Sequence, residues 1–223
     1  MKKFLLALFL FAAPAQAQER NVALIIAMDV SGSITQDRYK LQLDGMAAAL
    51  ESPRFIRLLS PQHPTAIMFM QWSAWANIWV SEWHLVSSAA EARALAAVVR
   101  NLERQSTGGT GIAAALRRAR EEFQRMDFTA HALVLDISGD GVENSEPLPN
   151  VHAARDALIE MNVTINGLPI GGDPSQNFEA LVAFYREHVI GGPYHFLYPV
   201  ARDADFARAF TRKFVLEIAQ VED

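Results

Sequence analysis

The chain has 223 residues, 51% of them hydrophobic and 20% charged, with a formal charge of −5. That mix excludes wholesale disorder, and the length suits one large domain. With no cysteine, disulfides, zinc–cysteine sites, iron–sulfur clusters and cysteine nucleophiles are all excluded; the acidic balance, with no Lys/Arg tract, argues against a nucleic-acid partner.

In chain order, the first element is a leader. Lys2 and Lys3 precede an apolar run over 4–13, and Ala15-Gln16-Ala17 follows with small residues. This is the pattern of a secretory signal peptide cleaved after Ala17, short and simple in the bacterial manner, so a periplasmic or secreted protein is expected. The run is too short to span a bilayer, which takes ~20 residues, and no later stretch is longer, so no membrane span is expected in the mature chain. Residues 18–223 are expected to form a single domain.

Four nearly continuous apolar runs follow, at 22–28, 65–70, 131–137 and 163–170. Strands buried on both faces have this pattern. Helices are expected at 35–51, 87–103, 111–126, 149–161, 175–187 and 203–220. In the third, Ile112, Leu116, Ala119, Phe123 and Met126 share one face and the charged residues take the other. The alternation predicts an α/β doubly wound fold, with a mostly parallel sheet and helices on both faces. The segment 75–83 has a period nearer two. It follows 65–70 too closely for a helical crossover, so it is expected to be an antiparallel edge strand.

Ligands of such sheets bind beyond the carboxyl ends of the strands. The first strand ends in Asp29-Val30-Ser31-Gly32-Ser33. Alternate spacing turns Asp29, Ser31 and Ser33 toward one centre. Their hard oxygens suit Mg²⁺, Mn²⁺ or Ca²⁺ rather than zinc or copper. Asp and Ser are also ordinary turn and helix-cap residues, so this loop alone does not decide for a metal. Ser106-Thr107-Gly108-Gly109-Thr110-Gly111 opens the helix at 111, and Ser138-Gly139-Asp140-Gly141 ends the strand at 131–137. Three loops, each expected at a strand end, thus supply an acid, a hydroxyl and an acid.

This ordered set resembles the von Willebrand factor type A domain, the integrin I-domain fold, across roughly 21–220. The resemblance implies a metal-ion-dependent adhesion site (MIDAS) made by Asp29, Ser31, Ser33, Thr110 and Asp140. It implies a divalent cation, Mg²⁺ first, held directly by the serines and the threonine, with the aspartates often acting through water. It also implies a protein ligand that supplies an Asp or Glu carboxylate to the ion, and no enzymatic activity. The details of 136–141 and of Ile190-Gly191-Gly192-Pro193 resemble a family of secreted bacterial proteins with this fold and no assigned activity.

Several residues leave alternatives open. Asp136 lies inside an apolar run and competes with Asp140; Thr107 competes with Thr110. Trp72, Trp75, Trp79 and Trp83 suit either sugar stacking or packing in an edge strand. Asp173-Pro174 and Asn177 suit either a binding rim or a turn with a helix cap. The six histidines show no metalloprotease spacing. A Mg²⁺-dependent, phosphatase-like hydrolase and a structural protein with a stabilising ion are the competing functions. Against the first stand the missing P-loop, the missing G-x-S-x-G elbow and the absence of lysine near the motif loops.

Overall fold

The computed structural model describes residues 19–74, 78–171, 177–202 and 205–219. The leader, Trp75, Asp173 and Pro174 lie outside them.

Four strands form a parallel core: β1 (Glu19–Asp29), β2 (Thr65–Trp72), β5 (Thr129–Gly139) and β6 (Val163–Pro169). The sheet order is β3-β2-β1-β5-β6, with β3 (Trp79–Val80) and β4 (His84–Val86) both antiparallel to β2. The antiparallel edge expected at 75–83 is therefore present, but broken and shifted toward 86. Ser81 explains the break. Its backbone N–H donates to the Phe69 carbonyl at 2.9 Å, while its hydroxyl accepts from the Phe69 N–H at 3.0 Å. A side chain thus takes a bond that a continuous strand would make with its backbone.

Central β1 is buried on both faces, as its unbroken apolar run requires. Leu24, Ile26 and Met28 pack under α1 (Gln36–Leu50), α2 (Pro53–Leu58), α3 (Ala89–Arg100) and α7 (Phe206–Ala219). Ala23, Ile25 and Ala27 pack under α4 (Ile112–Gln124), α5 (Leu148–Ile159) and α6 (Phe178–Phe184).

The helix expected at 175–187 begins at Phe178, capped by Asn177, whose side chain accepts from the Ala180 N–H at 3.2 Å. It then widens into a π-helical turn over Tyr185–Val189, closed by Ile190 N–H donating to the Tyr185 carbonyl. Of the tryptophans, Trp72 is fully buried, Trp83 packs edge-on to Phe128 with ring centres 5.5 Å apart, and Trp79 packs against the α1 side. Their surroundings are those of packing residues.

One arrangement departs from the expected strand-end loops. The segment carrying Thr110 follows helix α3, not a strand. Because α3 lies on one face of the sheet and α4 on the other, residues 101–111 must cross between faces. They cross at the carboxyl ends of β1 and β2. Gln71 anchors them, its Nε2 donating to the Glu103 carbonyl and its Oε1 accepting from the Gln105 N–H, both at 2.9 Å. Gly32 N–H donates to the Gly108 carbonyl at 2.8 Å.

Candidate metal centre

The loop after β1 is held in shape by its own side chains. Asp29 Oδ1 accepts from the Ser31 N–H at 2.7 Å, and the Ser31 and Ser33 hydroxyls lie 3.1 Å apart. Ser33 Oγ then donates to Asp140 Oδ1 at 2.6 Å, joining the β1 loop to the end of β5. Thr110 closes the group from the crossing segment: a Cβ placed on Gly141 would lie 2.8 Å from its Oγ1. Thr110 is buried where Thr107 is exposed. Ser31, Ser33 and Thr110 line one open cavity of about 420 Å³, whose rim carries Val142, Asn144 and Asn177.

The structure therefore brings all five expected residues to one place. It turns Asp136 away from that place, toward α7, where Lys213 Nζ lies 2.5 Å from its Oδ1.

Electrostatics at the site are dominated by burial. Asp29 is fully buried, and its Oδ2 has no hydrogen-bond partner among the described residues. Burial pushes its carboxyl up to about 7; the bonds from Ser31 oppose this, and the nearby Asp140 charge adds to it. Behind it stand Tyr185 and Trp72, also buried, whose hydroxyl and indole N–H likewise lack partners there. Gly139 makes room for all three. A Cβ there would approach the Tyr185 hydroxyl to 2.6 Å, Asp29 Oδ2 to 2.8 Å and Trp72 to 3.1 Å.

Four further residues shape the site without a sequence motif of their own. Arg38, in the first turn of α1, donates to Asp140 Oδ2 at 2.9 Å and to the Gly171 carbonyl. Arg104 fastens the β1 loop from the crossing segment: its guanidinium donates to the carbonyls of Ile34 at 2.8 Å and of Val30 and Ser31 at 2.7 Å. Glu143 accepts from the Ala113 N–H at 2.8 Å and so caps α4, whose N-cap Gly111 has no side chain to do it. Asn144 brackets Thr110, accepting from its N–H at 2.8 Å and donating to its carbonyl at 3.0 Å. A helix start without a capping side chain was the one sequence signal that could have pointed to Glu143. The arginines had none.

The donor set fits a hard divalent cation. Three hydroxyls and two carboxylates converge, and one carboxylate oxygen is buried with no hydrogen-bond partner among the described residues. Among the described residues no three His, Cys, Asp or Glu side chains are grouped to hold a metal, so an ion here depends on the hydroxyls.

A mostly parallel sheet with an antiparallel edge, wrapped by helices and carrying this constellation at its carboxyl end, is the von Willebrand factor type A fold. Solved structures agree. The chain is similar to a von Willebrand factor type A protein from Catenulispora acidiphila, with TM-score 0.60, 19% identity, and 90% of this chain and 43% of that one covered. It is similar to proximal thread matrix protein 1 from the mussel byssus, described with a zinc-occupied MIDAS motif (TM-score 0.63, 16% identity, coverage 92% and 47%). It is also similar to a manganese-loaded Plasmodium vivax TRAP protein (TM-score 0.55, 17% identity, coverage 88% and 74%). At these identities the likeness concerns the fold. The chain spans less than half the length of the first two. No curated protein matches it. The chain belongs to the family described as "Protein of unknown function (DUF1194)", whose model matches residues 19–222.

Proposed function

We propose that this chain is an exported, non-enzymatic binding module that recognises a protein ligand through a divalent cation, Mg²⁺ before Mn²⁺ or Ca²⁺. One observation carries the reading: the Ser31–Ser33–Asp140 hydrogen-bonded chain beside the unsatisfied Asp29 Oδ2, at the mouth of an open cavity. Ser31, Ser33 and Thr110 present hydroxyls to the ion. Asp140 has both oxygens engaged, by Ser33 and Arg38, so it acts through these partners and through water. The bound ion supplies an electrophile for an incoming Asp or Glu carboxylate. Few anionic groups face it, which leaves its charge unspent. Val142, 43% exposed at the rim, offers an apolar contact beside the carboxylate. Export rests on the leader, with cleavage after Ala17.

Melting of the protein in EDTA, and then with Mg²⁺, Mn²⁺ or Ca²⁺, tests the site beside a Ser31→Ala/Ser33→Ala variant. At a metal concentration of about 100 Kd, native-state binding adds ~2.7 kcal/mol. For a chain of this size that raises Tm by roughly 5–11 °C. The variant is expected to lose the rise. An equal rise in both proteins places the ion elsewhere and overturns the reading.

A further inference from the structure

Away from the strand-end site, α2 and α7 enclose a second concavity of about 690 Å³. Its lining is basic: Arg54 and Arg57 come from α2, Arg208 and Arg212 from α7, with Ser52 and Thr211 between them. The arginine pairs stand at i,i+3 and i,i+4, so each helix presents two cations on one face. All four are exposed. Phe55 against Phe214, with ring centres 4.9 Å apart, holds the two helices together beneath them.

The charge here is largely unpaired. Several arginines on other helices meet carboxylates, as in Arg100–Glu51, Arg117–Glu146 and Arg118–Glu122. Among the described residues, no carboxylate pairs with Arg54, Arg57 or Arg212. Arg208 pairs with Asp205 at 2.5 Å, but Asp205 also serves Arg202 at 2.8 Å. Gathering four guanidiniums around one concavity, in a chain whose net charge is −5, costs like-charge repulsion that a bound anion would relieve.

We infer that the α2–α7 concavity binds a phosphoryl group. A phosphoryl group brings close to two negative charges and three acceptor oxygens to one point. Guanidinium forks arriving from two helices can share those oxygens, whereas a single carboxylate engages one fork. The group could belong to a soluble phosphorylated molecule or to a lipid headgroup. The recognition chemistry is the same.

The test is calorimetric titration of the protein with pyrophosphate at constant ionic strength, in EDTA so that no cation at the strand-end site takes part. Sedimentation with phosphatidic acid–phosphatidylcholine vesicles, whose phosphomonoester presents the same three oxygens, against pure phosphatidylcholine, forms the second arm. The variant is Arg57→Gln/Arg212→Gln. The charge-matched control is Arg120→Gln/Arg186→Gln, at exposed positions outside the concavity. The expected result is one-to-one pyrophosphate binding by the native protein and the control, weakened about tenfold or more in the variant. Loss of vesicle binding in the same variant assigns the group to a lipid; pyrophosphate binding without vesicle binding assigns it to a soluble molecule. No binding of either probe, or equal weakening in variant and control, overturns the inference. Should the double variant not fold, exposed Arg54→Gln replaces it, with a fall of about threefold or more expected.

Discussion

Arg104 turns a short hydroxyl-bearing loop into a fixed one. Its guanidinium holds the carbonyls of Val30, Ser31 and Ile34, on either side of Ser33, so the two serines keep their spacing whether or not anything is bound. A lysine offers one point charge in place of a planar fork. Arg104→Lys is therefore expected to weaken metal affinity about 10–100-fold, with little change in Tm in EDTA. Titration with Mn²⁺ followed by electron paramagnetic resonance checks this. Gly192 shows a different constraint on a single residue. Its φ is +85°, and a Cβ there would lie 2.0 Å from the Val163 carbonyl oxygen. It follows Gly191, whose N–H and carbonyl pair with Ile165. The Gly-Gly pair noted in the sequence is thus a docking point of chain against β6. Gly192→Ala is expected to cost about 3 kcal/mol or more in urea unfolding. A loss below about 1 kcal/mol would show that the turn can move aside.

Among the elements, α7 is tied to the sheet by a buried polar cluster. Lys213 is fully buried on it, its Nζ 2.5 Å from Asp136 on β5, bonded to Glu217 one turn on, and 5.5 Å above the Phe196 ring. Asn166 on β6 donates to the same Glu217 oxygen at 3.0 Å. Two acids share one base, so one acid keeps its proton. Burial, and then the Asp136 charge, pushes Glu217 from its ordinary 4.5 up to about 8. Between those values the unfolded chain has released this proton and the folded chain retains it. Stability should then fall as pH rises from about 4.5 to about 8, and Glu217→Gln should remove that part of the slope in urea midpoints. Lys213→Met strands the buried Asp136 charge and is expected to cost ~3–5 kcal/mol. Adding Asp136→Asn should recover part of the loss. An unaltered midpoint in Lys213→Met would mean that the triad does not hold α7. The same triad accounts for the acid in the middle of an apolar strand, which the sequence left open as a possible ligand.

For the whole molecule, the division of labour follows the sheet. Helices cover both faces, and only the carboxyl edge of the strands is left for loops from β1, from β5 and from the crossing segment. Metal bound there should slow amide hydrogen exchange at 29–34, 107–111 and 140–144, and also in core β2, whose exchange follows global unfolding, while the loop at 60–64, away from the site and opening locally, keeps its rate. Unchanged exchange at 29–34, 107–111 and 140–144 would place the ion elsewhere. Much of this architecture was legible in the chain alone. Strands buried on both faces must be continuously apolar, amphipathic helices must repeat every 3.6 residues, and Asp29, Ser31 and Ser33 stand two apart where a strand ends. These are local properties, so local pattern was enough to give the alternating α/β order and to set Asp29, Ser31 and Ser33 at a strand end, whereas Thr110 and Asp140 were singled out over Thr107 and Asp136 by the resemblance to the von Willebrand factor type A domain. Contacts between residues far apart in the chain were not legible. That the Thr110 segment comes from a helix and crosses the strand ends depends on α3 and α4 lying on opposite faces. That Asp136 faces Lys213 while Asp140 faces Ser33 and Arg38 depends on which side of β5 each points to and on what packs there. The arginines of α2 and α7 form one basic concavity only because Phe55 and Phe214 bring their helices together. Periodicity decides which side of an element is buried, whereas the partner across the interface is decided by packing the whole chain at once.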